Sequence, residues 1–77
     1  MHWPILRLQS SGRWAVCPPG HSPIELTSGD VFQVEVKGVL KPTRMEFAHG
    51  ERGRPGQYYS IDGFELRTGM RAAVGAA

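Results

Sequence analysis

In the segment DVFQVEVKG, Phe32, Val34 and Val36 alternate with Gln33, Glu35 and Lys37. That period of two places one side of a β-strand in the core and the other toward water. Lys37-Gly38 follows as a tight turn, since glycine takes positive φ without a steric penalty. The chain then returns through VLKPTRMEFAH, where Thr43, Met45 and Phe47 share one face and Arg44 and Glu46 the other. Pro42 lacks an N–H, so its place is an edge or a bulge. After a loop of residues 49–56 without large apolar side chains, QYYSID resumes the alternation. It predicts Tyr59 and Ile61 inward and Tyr58 and Ser60 on the opposite face. Asp62-Gly63 is a turn signal.

Before these strands, RWAVC sets Trp14 and Val16 on one face, and WPILRL offers a further strand. Glu25-Leu26-Thr27-Ser28-Gly29 and Glu65-Leu66-Arg67-Thr68-Gly69 echo each other, and each precedes a strand-like run. Two copies do not make a solenoid. Locally, the leucine plugs the core and the glycine permits the turn that launches the next strand. No helical periodicity persists for ten residues. The expected fold is all-β: a small five- to six-stranded antiparallel SH3-like barrel, in which closure leaves few open edges. Residues 1–11 are expected to form an N-terminal strand or arm, 12–74 the barrel domain, and 75–77 a flexible tail.

Composition bounds this picture. Seventy-seven residues make one domain near the lower limit for a self-sufficient core, so self-association is a natural expectation. An apolar fraction of 40% argues against disorder, and ten glycines and six prolines chop the chain into short strands. The net charge of +2 is a mild bias beside that of dedicated DNA-binding domains. Cys17 is the only cysteine, which excludes an intrachain disulfide and suits a reducing compartment. With no secretory leader pattern and no membrane-length apolar run, the expected location is the cytoplasm.

The pieces GRWAV, ELTSGDVFQVEV, KPTRMEF, YYSIDG and ELRTGMRAAV occur in an order that resembles a family of small bacterial domains of unknown function. That pattern runs Gly-Arg-Trp/Tyr, Leu-x-x-Gly-Asp, Thr-Arg-x-Glu, Trp/Tyr-Tyr, then Leu-x-x-Gly-Leu/Met. The resemblance spans roughly Gly12 to Val74, and Pro42-Thr43-Arg44-Met45-Glu46 is its most distinctive part. Leu40 stands near the place where the family often carries a Trp. The resemblance implies a compact β domain and no established activity.

The candidate chemistry is sparse. Arg52-Gly53-Arg54-Pro55 is the core of the AT-hook, whose arginines run along the floor of a narrow A·T minor groove. Its flanks are Glu51 and Gly56-Gln57, where working hooks carry further cations. Four-residue motifs recur by chance, so a solvated hairpin loop is the plainer reading. Arg44, Glu46 and Tyr58 are expected on one sheet face, where basic and aromatic residues interleave as on surfaces that stack single-stranded bases. Outer-face charge pairs are more often register and solvation devices. His2, His21, His49 and Cys17 lack metal-ligand spacing, and no serine, cysteine or histidine stands in a recognisable catalytic setting.

These readings point to a small non-catalytic binding module without cofactor or metal. Its expected partner is another protein or a second copy of itself, and a mobile-element accessory or inhibitor protein fits that description. Arg44, Glu46, Arg52, Arg54 and Tyr58 are the expected binding residues. The alternative is a nucleic-acid-binding module using the Arg52-Gly53-Arg54-Pro55 loop and the Arg/Tyr sheet face. An oligomeric enzyme is the most distant reading.

Overall fold

The computed structural model describes residues 3–53 and 55–75. Seven strands account for the regular structure: β1 (Ile5–Leu8), β2 (Trp14–Cys17), β3 (Ile24–Glu25), β4 (Val31–Val36), β5 (Val39–Ala48), β6 (Gln57–Ser60) and β7 (Ala72–Val74). They form two antiparallel sheets, ordered β1-β2-β3 and β6-β5-β4-β7. The strand beyond the expected five or six is β3, whose two residues are too short for periodicity to reveal. No helix among the described residues is long and apolar enough to cross a membrane.

The hairpin β4-β5 is the longest ladder, and its turn is the one the sequence predicts. Lys37 and Gly38 both have positive φ, 52° and 81°. That is the geometry whose twist matches the flanking strands. From the closing pair Val36–Val39, hydrogen-bonded and non-hydrogen-bonded pairs alternate along the ladder. Pro42, opposite Gln33, therefore falls at a non-hydrogen-bonded pair, where its missing N–H would point away from β4. On that other side β6 reaches only from Met45 to Ala48, so Pro42 costs the sheet no ladder bond.

The inner faces of both sheets meet in a core of Leu6, Val16, Leu26, Phe32, Val34, Met45 and Ala72. Trp14, Val36, Tyr58, Phe64, Leu66 and Met70 pack around it. Each of the large core side chains contributes about 1.5–3 kcal/mol by leaving water. One expectation is reversed. Tyr58 and Ser60 face the core, while Tyr59 and Ile61 are exposed. The register of β6 on β5 sets Ser60 opposite Met45 and Tyr58 opposite Phe47. Ser60 then meets Thr43 in a buried hydroxyl pair at 2.6 Å, and Tyr58 packs on Phe47 with ring centroids 4.7 Å apart. A shift of one residue would exchange the faces and break both contacts.

The two sheets are joined by backbone bonds between β1 and the segment before β7. Leu6 N–H donates to the Met70 carbonyl and Gly69 N–H to the Leu6 carbonyl, both at 2.8 Å. Across the core the same arrangement recurs: Met45 N–H donates to the Asp30 carbonyl at 2.8 Å, and Gly29 N–H to the Met45 carbonyl at 2.7 Å. Each Leu-x-x-Gly turn thus docks on one buried strand residue, Leu6 or Met45, by the same pair of bonds. Gly29 and Gly69 have matching φ values of 95° and 99°.

The correspondence extends to the strands. β4 pairs with β7 about the Gln33–Ala73 position. β5 then corresponds to β1, and β6 to β2. In this approximate twofold relation Phe47 matches Leu8, Tyr58 matches Trp14, and Gly56 matches Gly12. The echo in the sequence is the local trace of that symmetry.

Candidate functional site

Two surfaces hold the residues singled out in the sequence. The first is the outer face of the four-stranded sheet. On β5, Arg44 and Glu46 point away from the core, as the alternation requires. The Arg44 Nε donates to Glu46 Oε2, forming an ion pair on the strand. The Ser28 hydroxyl, from the turn before β4, donates to the other oxygen of Glu46 at 3.1 Å. Arg44 is therefore already matched in charge. Around this pair stand Val31, opposite Arg44 on β4, Tyr59, opposite Glu46 on β6, and Ile61, whose N–H donates to the Arg44 carbonyl at 2.9 Å. Their exposures, 43%, 39% and 45%, are high for residues of this size. Farther along, Glu35 is joined by the Arg71 guanidinium at 3.9 Å. The guanidinium carbon of Arg71 also lies 5.1 Å from the centre of the exposed Trp3 ring.

The second surface is the end of the molecule where β2 and β6 approach each other. Tyr58 belongs here and not beside Arg44 and Glu46. Its ring rests on Phe47, which in turn meets His49 edge-on at 5.4 Å between centroids. Gly56 is pressed into this aromatic group: a Cβ there would collide with the Phe47 ring and lie 2.7 Å from the Ala48 carbonyl oxygen. Between the strands runs a cleft of about 270 Å³ lined by Leu8, Gly12, Trp14, Gly56, Gln57 and Tyr58. Arg52 is exposed in the adjoining loop, at a turn in which Gly53 has φ of 72°. Arg54, the second arginine of the hook-like motif, lies outside the described residues.

The structure thus joins Arg44 to Glu46, separates both from Tyr58, and leaves Arg52 near the Tyr58 end. Tyr59 and Ile61 were missed as surface residues because apolar side chains on both faces of the QYYSID segment leave its period ambiguous, while Val31, at the start of β4, was not singled out. A third surface, lined by Glu35, Val36, Lys37, Phe64, Glu65, Arg67 and Met70, carries charges that largely satisfy one another. Arg67 donates to Glu65 at 2.9 Å, which holds the Glu65 carboxyl below its ordinary pKa and raises that of the Arg67 guanidinium. Among the described residues no three His, Cys, Asp or Glu side chains converge as a metal site would require.

Residues 5–74 match the model of a domain of unknown function, DUF5348. The chain belongs to the DUF5348 family. The match takes in every strand, both Leu-x-x-Gly turns and both surfaces. It agrees with the family without an assigned activity that the sequence resembles. None of the curated proteins and none of the solved structures compared with this DUF5348 domain matches it.

Proposed function

We propose that this DUF5348 domain is a small SH3-like barrel that works as a non-catalytic protein-interaction module through the outer face of its four-stranded sheet. The observation that carries the reading is the Arg44–Glu46 pair set among exposed Val31, Tyr59 and Ile61. An arginine free to bind phosphate would stand without a carboxylate on its own strand. A neutralised pair ringed by apolar side chains instead suits a protein surface, with aromatic and aliphatic anchors inside and paired charges fixing register. The bond from Ser28 holds Glu46 in place before any partner arrives. Affinity at such a face depends little on salt and rests on a few anchors, of which Tyr59 and Ile61 are the foremost.

The test is site-specific photocrosslinking. A benzoylphenylalanine at Tyr59 is compared with one at Lys37, on the hairpin tip, in a lysate of the native host. The expected result is a discrete crosslinked species from position 59, absent from position 37 and lost in an Ile61→Asp background. Sedimentation of the purified protein then separates self-association from capture of another chain. Equal or absent crosslinking at both positions would remove this face from consideration.

A further inference from the structure

The cleft between β2 and β6 is a separate surface from the face just discussed. Among the described residues, Arg44, Arg67 and Arg71 each have a carboxylate partner. No ion pair among the described residues engages Arg13 or Arg52. Both are exposed at the cleft end: Arg13 lies between the lining residues Gly12 and Trp14, and Arg52 lies in the loop that leads to Gly56 and Gln57. The nearby carboxylates are Glu25, which accepts a bond from the Ser11 hydroxyl at 3.3 Å, and Glu51. Arg7, Lys37 and Lys41 are also outside the ion pairs among the described residues, so Arg13 and Arg52 are the two of five such cations that flank this cleft, where Trp14 and Tyr58 show part of their rings.

We propose that this cleft is a binding site for single-stranded nucleic acid, with one base held between Trp14 and Tyr58 and flanking phosphates met by Arg13 and Arg52. The cleft, about 270 Å³, has room for one planar base. Every base has a π face, so a Trp and a Tyr in the lining of one cleft can supply stacking without sequence preference. Gly12 has open space above it, which lets a sugar–phosphate backbone come close on that rim. On the other rim, Gly56 lets the Phe47 ring support Tyr58 from behind. A groove of about 500 Å³ lined by Ala48, His49, Gly50, Glu51, Pro55 and Gln57 continues from the cleft, sharing Gln57 with it. It gives the strand a path onward from Gln57. Duplex DNA does not fit this geometry, because its bases are stacked away from the walls.

The experiment is fluorescence anisotropy with a labelled oligothymidylate of about eight nucleotides, paired with an amide NMR titration. The expected result is binding that weakens about tenfold between about 50 and 200 mM salt, as for two or three phosphate contacts. Shifts should centre on Trp14, Gly56, Gln57 and Tyr58. The double variant Arg13→Glu, Arg52→Glu should lose binding at least about tenfold with an unchanged melting temperature, because both side chains are exposed and unpaired. Trp14→Phe keeps a ring against the core and should weaken binding less than the charge reversal.

Three results would overturn the proposal. These are an absence of shifts at about 50 mM salt, shifts confined to Arg44, Glu46 and Tyr59, or binding indifferent to the double charge reversal. Salt-insensitive shifts at Trp14 and Tyr58 on addition of a capped apolar pentapeptide, with none for the oligonucleotide, would assign the cleft to a peptide instead. Failure here leaves the crosslinking result at Tyr59 unaffected, since the two sites share no residue.

Discussion

Thr43 Oγ1 and Ser60 Oγ lie 2.6 Å apart, both residues almost wholly removed from solvent, one on β5 and the other on β6. Each hydroxyl is the other's partner in a place where water does not reach. Removing one strands the other, at a cost of about 1–3 kcal/mol. Ser60→Ala should therefore destabilise by about that amount in denaturant unfolding. Thr43→Val combined with Ser60→Ala should cost less than the two single losses together. Strictly additive losses would mean that the pair does not act as a unit.

Gly56 has ordinary φ, so its need for glycine is steric and not conformational. Gly56→Ala drives a methyl against the Phe47 ring and the Ala48 carbonyl. The expected loss is about 1–3 kcal/mol, with changed chemical shifts for Phe47 and Tyr58 in the folded variant. Full stability with unmoved ring resonances would contradict the packing.

The matched turns make a paired prediction. Gly29 and Gly69 have positive φ and open space where a side chain would go. Substitution by valine should cost each about 1–2 kcal/mol from backbone strain alone, and the two losses should be similar. A neutral Gly69→Val would refute the turn geometry on that side.

Lys37 holds a φ of 52°, a region where lysine is strained and asparagine is tolerated. Lys37→Asn creates Asn-Gly at the hairpin tip and should raise stability by a few tenths of a kcal/mol. The check is the midpoint of urea unfolding, with an unchanged slope.

Glu65 and Arg67 are both fully exposed, and their hydrogen bond lowers the Glu65 carboxyl pKa. Its folded-state pKa lies below the unfolded value. Any stabilisation is therefore present above the unfolded pKa and lost as pH falls through the folded one. A side-chain carboxyl titration by NMR should place Glu65 below the ordinary glutamate value. Arg67→Ala should move it back, while the surface location keeps the effect on stability small.

Most of the fold was legible because its strands obey the alternation strictly where one face is core. Phe32, Val34 and Val36 fixed β4, and Lys37-Gly38 fixed the register of β5 upon it. β3 was not legible, since two residues carry no period. β6 was read one residue out of phase because tyrosine and isoleucine are apolar enough to occupy either face. Its true phase is chosen by a hydroxyl on another strand, Thr43, and by the Phe47 ring. The sites were less legible than the strands. Arg44 and Glu46 were placed correctly on one face, but the Ser28 hydroxyl that also bonds Glu46 comes from a turn distant in sequence. The cleft is still less local: Trp14 and Tyr58 line it together only because the two halves of the chain fold back on one another.

Because Trp14 and Tyr58 hold equivalent places in that twofold relation, the cleft offers a polymer nearly the same walls whichever end enters first. Direction must be decided by what is not repeated. The short turn from Gln9 to Arg13 on one rim is closed by the Gly12 N–H bond to the Gln9 carbonyl. The longer loop ahead of Gly56, with Arg52 on it, forms the other. On the binding proposed for this cleft, the polarity of a chain would follow from the unequal lengths of two loops, and its grip from the rings.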